Sequence, residues 1–204
     1  MCIRDSKCNK ISSYLETSEE EISSGESLKI LGFNFNSDPS AVYHVTGVIN
    51  KFHTKLWTLR FLRKSGMDTE NLMRVYNTVI LPSVEYCSEI YHPLIPQYIS
   101  AKLEQVQKRA MKLIHGWHVD YAKLIETGVV QTLEERRNQA CIRFANKAVV
   151  SENFGRKWFP RNNSERTARE STRRPYLEKQ ARTNRMQNSP IQNMVRLLNE
   201  QSSK

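Results

Sequence analysis

Few residues in this chain have the types and spacing that could do chemistry. His115-x-x-His118 with Asp120 is the one cluster that resembles a metal site. Zinc takes four ligands, and no cysteine stands near these three, so the spacing predicts no metal here. Adjacent carboxylates occur only at Glu19-Glu20-Glu21 and Glu134-Glu135. Phosphoryl and nucleotidyl transfer needs carboxylates that converge on metal ions. The first run lies in a polar stretch, and the second falls in a helix's first turn, where acids suit the helix dipole. Both read as structural. There is no glycine-rich phosphate loop and no serine nucleophile elbow, and His44, His53 and His92 stand alone.

The remaining chemistry is cationic. The 204 residues carry a formal net charge of +10 and a pI near 9.6, which favours nucleic acid or an anionic surface as partner. The excess sits late. Residues 1–27 hold three Lys and Arg against six acids, whereas residues 156–186 hold ten against three. Across residues 151–188 Phe154, Trp158, Phe159 and Tyr176 are interleaved with cations that include Arg173, Arg174, Arg182 and Arg185. Cations can displace counterions from phosphates, and flat rings can stack on unpaired bases. A solvated basic tail with no such role has the same composition.

These groups must be positioned by helices. Ile99, Leu103, Val106, Ala110 and Leu113 recur at steps of four and three, the apolar face of a helix that Gly116 can close. Lys108 and Lys112 fall on its other side. Upstream, Val45, Ile49, Phe52, Leu56 and Leu59 predict a helix from Val42 that ends at Gly66, with Lys51, Lys55, Arg60, Arg63 and Lys64 on or beside its polar side. Asp68 is a suitable N-cap for the next helix, whose inward residues are Leu72, Val75, Tyr76, Val79 and Ile80. Pro82 restarts or kinks that run, and Val84, Cys87, Ile90 and Tyr91 continue its stripe. Pro93 and Pro96 then force a corner, so this helix and the one after it are expected to pack antiparallel. Trp57, Met73 and Met111 read as core or core edge. A linker with Trp117 leads to a short segment with Tyr121, Leu124 and Ile125. Thr132 and Glu135 form a capping box before a helix that runs to about Val150, with Leu133, Ala140, Cys141, Phe144 and Ala148 inward. Residues 151–188 lose apolar periodicity and read as extended or weakly ordered. Pro190 opens a last helix with Ile191, Met194, Val195 and Leu198 on one face.

Before the first helix, Leu28 to Phe35 reads as a strand in which Gly32 marks a bulge or close backbone approach, or else as a plain hairpin. Met1 to Ser6 resemble a translated sequencing-adapter scar, in which case the expected chain is a fragment whose natural start lies upstream; an ordinary disordered start is the other reading. The four cysteines, Cys2, Cys8, Cys87 and Cys141, are irregularly spaced and no signal peptide is present, so reduced thiols in an intracellular protein are expected, with Cys87 and Cys141 as core residues. No apolar run approaches the roughly 20 residues that span a bilayer.

Taken in order, these motifs resemble a known family. Lys29-Ile30-Leu31-Gly32-Phe33 resembles the strand that ends the palm of non-LTR (LINE-type) retrotransposon reverse transcriptases. The helix from Val45 to Lys64 looks like the start of their thumb. Val75-Tyr76 with Leu81-Pro82 and Glu85-Tyr86, then Leu103 to Ala110, look like its next elements. Leu133 to Arg137 with Phe144-Ala145, Trp158-Phe159-Pro160, and Ala181 to Arg185 with Ser189-Pro190-Ile191 resemble the C-terminal extension. The likeness covers about residues 22–199.

The departures limit what it implies. The aromatic-x-Asp-Asp signature that binds the catalytic metals is absent, as are the fingers, most of the palm, the endonuclease and the Cys-Cys-His-Cys knuckle. The implied protein is a truncated RNA-directed DNA polymerase, inactive alone. It would have no catalytic residue, metal site or cofactor of its own, although the parent enzyme would need Mg2+. The implied fold is mainly α: residues 1–21 a non-native or disordered start, 22–38 a hairpin remnant of the palm, 39–116 a helical thumb, 117–150 a helical extension, 151–188 a basic tail and 189–204 a terminal helix. Lys29, Leu31 and Gly32 would correspond to the primer grip. Lys51, Lys55, Arg63, Lys64, Lys108 and Lys112 would touch the phosphates of a template–primer duplex, with Arg173, Arg174, Arg182 and Arg185 adding to them. RNA template, DNA primer and the missing palm and fingers are the implied partners, met in the cytoplasm and nucleus and not at a membrane. A helical protein-interaction module with no nucleic-acid role is the other reading.

Overall fold

A computed structural model describes residues 27–36, 40–162 and 174–202, apart from the side chains of Ser27, Arg156 and Arg185. The chain is mainly helical, with a two-stranded antiparallel sheet near its N-terminus. Strands β1 (Ser27–Ile30) and β2 (Phe33–Asn36) pair with Ser27 opposite Asn36 and Ile30 opposite Phe33. Leu28 to Phe35 is therefore a hairpin, and Gly32 lies in its turn and not in a bulge. Leu31 (φ 48°) and Gly32 (φ 85°) both take positive φ, the sign pattern of a type I′ turn, whose twist matches that of its strands. Glycine adopts this freely, whereas a leucine there costs about 1–2 kcal/mol.

Helix α1 (Val42–Lys64) follows, and Val45, Ile49, Phe52, Leu56 and Leu59 are all buried along it. Asp68 caps α2 (Thr69–Val75) by accepting the Asn71 amide at 3.3 Å. Past α2 the expected single stripe breaks. Pro82 has no amide to give to the carbonyl four residues back, and its ring crowds that carbonyl. Tyr76–Ile80 widens into a π-helical turn, with the Leu81 amide bonded to the Tyr76 carbonyl. The extra residue rotates the following side chains. Leu72, Tyr76, Ile80, Val84 and Tyr91 stay buried, but Val79 and Ile90 are exposed. After α3 (Leu81–Glu85) the chain leaves the helix at Tyr86. Cys87 takes φ 58° and is half-buried, so it opens α4 (Ser88–Tyr91) and is not a core residue.

A short 3-10 turn (His92–Leu94) leads to α5 (Gln97–His115), whose Ile99, Leu103, Val106, Ala110 and Leu113 are buried as the spacing predicts. Its main partner is α1, and not an antiparallel helix over 69–91, because that stretch is broken into short pieces. Helix α6 (Tyr121–Glu126) is capped by Asp120, which accepts the Ala122 amide at 3.1 Å. Thr132 Oγ1 caps α7 (Leu133–Val150) by accepting the Glu135 amide at 3.1 Å. Leu133, Ala140, Cys141 and Ala148 are buried on α7, whereas Phe144 is exposed. Burial pushes the Cys141 thiol up to about 12, as suits an unreactive core residue.

The hairpin and α1–α7 enclose one core. A second core joins the end of α7 to the C-terminal elements: α8 (Gly155–Trp158), α9 (Asn184–Gln187) and α10 (Pro190–Ser202). It contains Cys141, Ala145, Ala148, Phe159, Met194, Val195 and Leu198. Residues 151–162 and 174–178 are therefore more ordered than their composition suggests. The Leu177 amide donates to Pro160 O at 2.9 Å and the Asn162 amide to Pro175 O at 2.9 Å. Asn199 of α10 serves both backbone groups of Tyr176: its Oδ1 accepts the amide and its Nδ2 donates to the carbonyl, each at 3.0 Å. Among the described residues no helix is long and apolar enough to cross a membrane.

A buried cation joins α7 to the first core. Arg137 is 1% exposed. Its Nε donates to His92 Nδ1 at 3.2 Å and its Nη2 to Ser100 Oγ at 2.6 Å. Since Nδ1 must accept, His92 is neutral and carries its proton on Nε2, which donates to Asn138 Oδ1 at 2.8 Å. Burial lowers the pKa of His92, opposed by the Asn138 bond and reinforced by Arg137. Burial, then Lys51, lowers that of His44; burial, then Arg63, lowers that of His115.

All three histidines thus lie below the ordinary value of about 6.5, so the unfolded chain takes up protons first as pH falls. Stability should be fullest above pH ~6.5 and decline below it, which thermal melts between pH 7.5 and 5 would show; a melting temperature that holds constant across that range would contradict it. Gly47, in the second turn of α1, has no atom of the described residues within 4 Å of where a Cβ would stand. Gly47→Ala should therefore stabilise the chain by about 0.5–1 kcal/mol in denaturant titration.

Candidate nucleic-acid interface

The hairpin tip is fixed by a side chain from far along the chain. The break after α3 turns Tyr86 outward, and its hydroxyl donates to the Leu31 carbonyl. A Cβ on Gly32 would lie 3.6 Å from the Tyr86 ring, so the ring also covers the turn. Leu31 itself points into solvent at 86% exposure, and Lys29, opposite Asn34 on β1, is exposed as well. Lys29, Leu31 and Gly32 thus form one protruding tip with a rigid seat. On the other side of the sheet Phe33 is buried, its ring stacked on His44 with centroids 4.2 Å apart.

Helix α1 carries five cations and no acid. Two of the five hold the fold. Lys55 Nζ donates to the Val79 carbonyl at 3.1 Å, where the π turn loosens the helix. Arg63 Nη1 donates to the Leu113 carbonyl and so satisfies one of the orphan acceptors at the end of α5. Lys51, Arg60 and Lys64 are exposed. Trp57 is not core: it is 66% exposed and stacks on Phe61, with centroids 5.7 Å apart and planes at 16°. Met111 is buried and Met73 partly so, as core and core edge.

Lys108 and Lys112 of α5 stand in a different setting. The Lys108 ammonium lies 5.4 Å from the centre of the Tyr121 ring and that of Lys112 lies 5.9 Å from the Trp117 ring. Cation–π contacts of this kind hold the charge over the ring face. Both lysines line a cleft of about 750 Å³ that Glu104, Asp120 and Glu134 also line. Glu104 is used within the fold: it accepts the Leu133 amide at 2.8 Å and the Tyr121 hydroxyl at 3.3 Å, and burial, chiefly, raises its pKa. This cleft is mixed in charge where α1 is purely cationic, a distinction that spacing along one helix does not reveal.

In the C-terminal part, Phe159 is buried in the second core and Tyr176 packs against it edge-on at 6.3 Å. These two rings are not displayed for stacking, contrary to the sequence expectation, because the second core needs them. Phe154 remains exposed beside Trp158, with centroids 4.7 Å apart. Arg174 and Arg182 are exposed. Arg185 lies in α9, and Arg173 falls outside the described residues. Among the described residues no three His, Cys, Asp or Glu side chains gather closely enough to hold a metal ion. Asp120 is occupied as the cap of α6, and His118 is exposed.

Tyr86→Phe removes the hydroxyl that holds the tip carbonyl. Amide exchange at residues 30–33 should quicken by several-fold while α5 and α7 stay unchanged; equal rates in the two proteins would show that the ring alone seats the tip. No family model, curated protein or solved structure matches the chain.

Proposed function

We propose that the chain is the end of the palm, the thumb and the C-terminal extension of a non-LTR retrotransposon reverse transcriptase, and that alone it binds a template–primer duplex without reading its sequence. The observation that carries this reading is the Tyr86–Leu31 contact. It joins two motifs of the resemblance, Lys29 to Phe33 and Glu85-Tyr86, that are separated by more than fifty residues. A tip that projects Leu31 from a strained turn suits a part that must touch something outside the chain. The exposed cations Lys51, Lys64, Arg174 and Arg182 supply charge without base-reading geometry, in keeping with backbone binding. Lys55 and Arg63 would touch phosphate only while also holding the fold. Polymerisation, and the Mg2+ that supports it, belongs to the parent enzyme with its aspartates, in the cytoplasm and nucleus.

Anisotropy titration of a labelled RNA–DNA hybrid tests the reading. Affinity should fall steeply and log-linearly with salt, because counterion release drives such binding. Lys51→Glu with Lys64→Glu should weaken hybrid binding and lower the salt slope by about one for each phosphate no longer neutralised. No binding at low salt, or tight binding indifferent to salt, would sink the proposal. A protein-interaction module with a merely soluble basic face would show neither effect.

A further inference from the structure

The face of α1 turned away from the core carries a second stripe. Tyr43, Gly47, Asn50, Thr54, Trp57 and Phe61 follow one another at steps of four and three, the spacing that aligns side chains along one line of a helix. Gly47 is half-exposed and the other five are exposed. Cations border the line: Lys51 four residues after Gly47, Arg60 three after Trp57, and Lys64 three after Phe61. At its N-terminal end the stripe opens into a concavity of about 510 Å³, where Tyr43, Gly47 and Asn50 face Asn34 and Asn36 of β2. The track therefore runs from the hairpin to the last turn of α1.

We infer that this stripe carries an unpaired nucleic-acid strand, with a base stacked on the Trp57–Phe61 pair and phosphates passing Lys51, Arg60 and Lys64. Three features select this occupant. The stripe sets an amide and a hydroxyl, Asn50 and Thr54, between its rings, whereas a groove-binding helix face presents an unbroken line of apolar anchors at these positions. The absence of any acid from α1 favours a polyanion. An exposed ring face offers a stacking surface to an unpaired base, which a duplex keeps covered by its own neighbours. Gly47 fits the same account: among the described residues nothing lies within 4 Å of where its Cβ would stand, which leaves room for a strand lying across the helix. The inference rests on the nucleic-acid reading above and adds the form of strand and the face that holds it.

The test uses the full chain at low salt with two labelled probes, a twelve-nucleotide oligouridylate and an RNA–DNA hybrid of equal length. Trp57→Ala with Phe61→Ala should weaken oligouridylate binding about tenfold or more and hybrid binding less than twofold. Both side chains are exposed, so the variant should fold, which its melting curve checks. Gly47→Gln should weaken oligouridylate binding several-fold while the protein melts no lower, an effect that a purely structural glycine would not produce. Unchanged oligouridylate affinity in both variants overturns the inference, as does equal loss on both probes. Hybrid binding with no oligouridylate binding also overturns it and leaves the duplex reading standing. Failure of the unmodified chain to bind either probe overturns both.

Discussion

A guanidinium sealed away from water dictates much of how the helices meet. Arginine stays charged at any accessible pH, so the protons of Arg137 need acceptors that the fold itself brings to them. Those come from the turn after α4 (His92 Nδ1) and from α5 (Ser100 Oγ), while Asn138 on α7 fixes the tautomer that lets His92 accept. The arrangement works only when the three elements are docked together. Removing one acceptor leaves a buried guanidinium N–H unpaired, which costs about 1–3 kcal/mol. Neighbouring ionic groups act in the same way on backbone ends. Glu104 takes an amide at the start of α7 and Arg63 a carbonyl at the end of α5. Bidentate Arg136, reaching Glu85, ties α7 to α3 just before the chain turns out towards the hairpin tip.

This use of charge inside the fold bears on function. A count of Lys and Arg along the helices treats all of them as available to a ligand. In space they divide into those that close the structure, those that sit over rings in a cleft shared with carboxylates, and those on the open side of α1. Only the last group is both free of a role in closing the fold and on a helix with no acid of its own. The surface best suited to a polyanion therefore begins at the hairpin and follows α1, and the tail adds to it through Arg174 and Arg182, not through Phe159 and Tyr176.

The buried stripes of α1 and α5 and the caps at Asp68, Asp120 and Thr132 could be read from residue spacing, because each depends on neighbours within a turn or two. Pro82 could be read as a disturbance, but not its outcome: a widened turn keeps Ile80 and Val84 in the core at the expense of exposing Val79. The Tyr86–Cys87 break depends on a partner more than fifty residues away, so nothing local marks it. Arg137 is the hardest case, since a buried arginine on a polar helix looks like any surface arginine until its partners are in place. Trp57 shows the opposite error. Large aromatic residues are usually core, yet its position opposite the buried stripe of the same helix placed it outside. The second core leaves no pattern in the sequence, because its residues come from α7, a short extended segment and α10, with no shared period.

Arg63 brings one more property to any anion that reaches it. A free arginine side chain carries about 2 kcal/mol of rotameric entropy, which a ligand normally has to freeze out. Through its bond to the Leu113 carbonyl, Arg63 has surrendered that freedom during folding, and Lys55 has done the same at Val79. Each keeps further N–H donors, so each can meet a phosphate as a stationary post and not as a tether in motion. The two contacts that stiffen the helical scaffold therefore also make it a template of defined spacing.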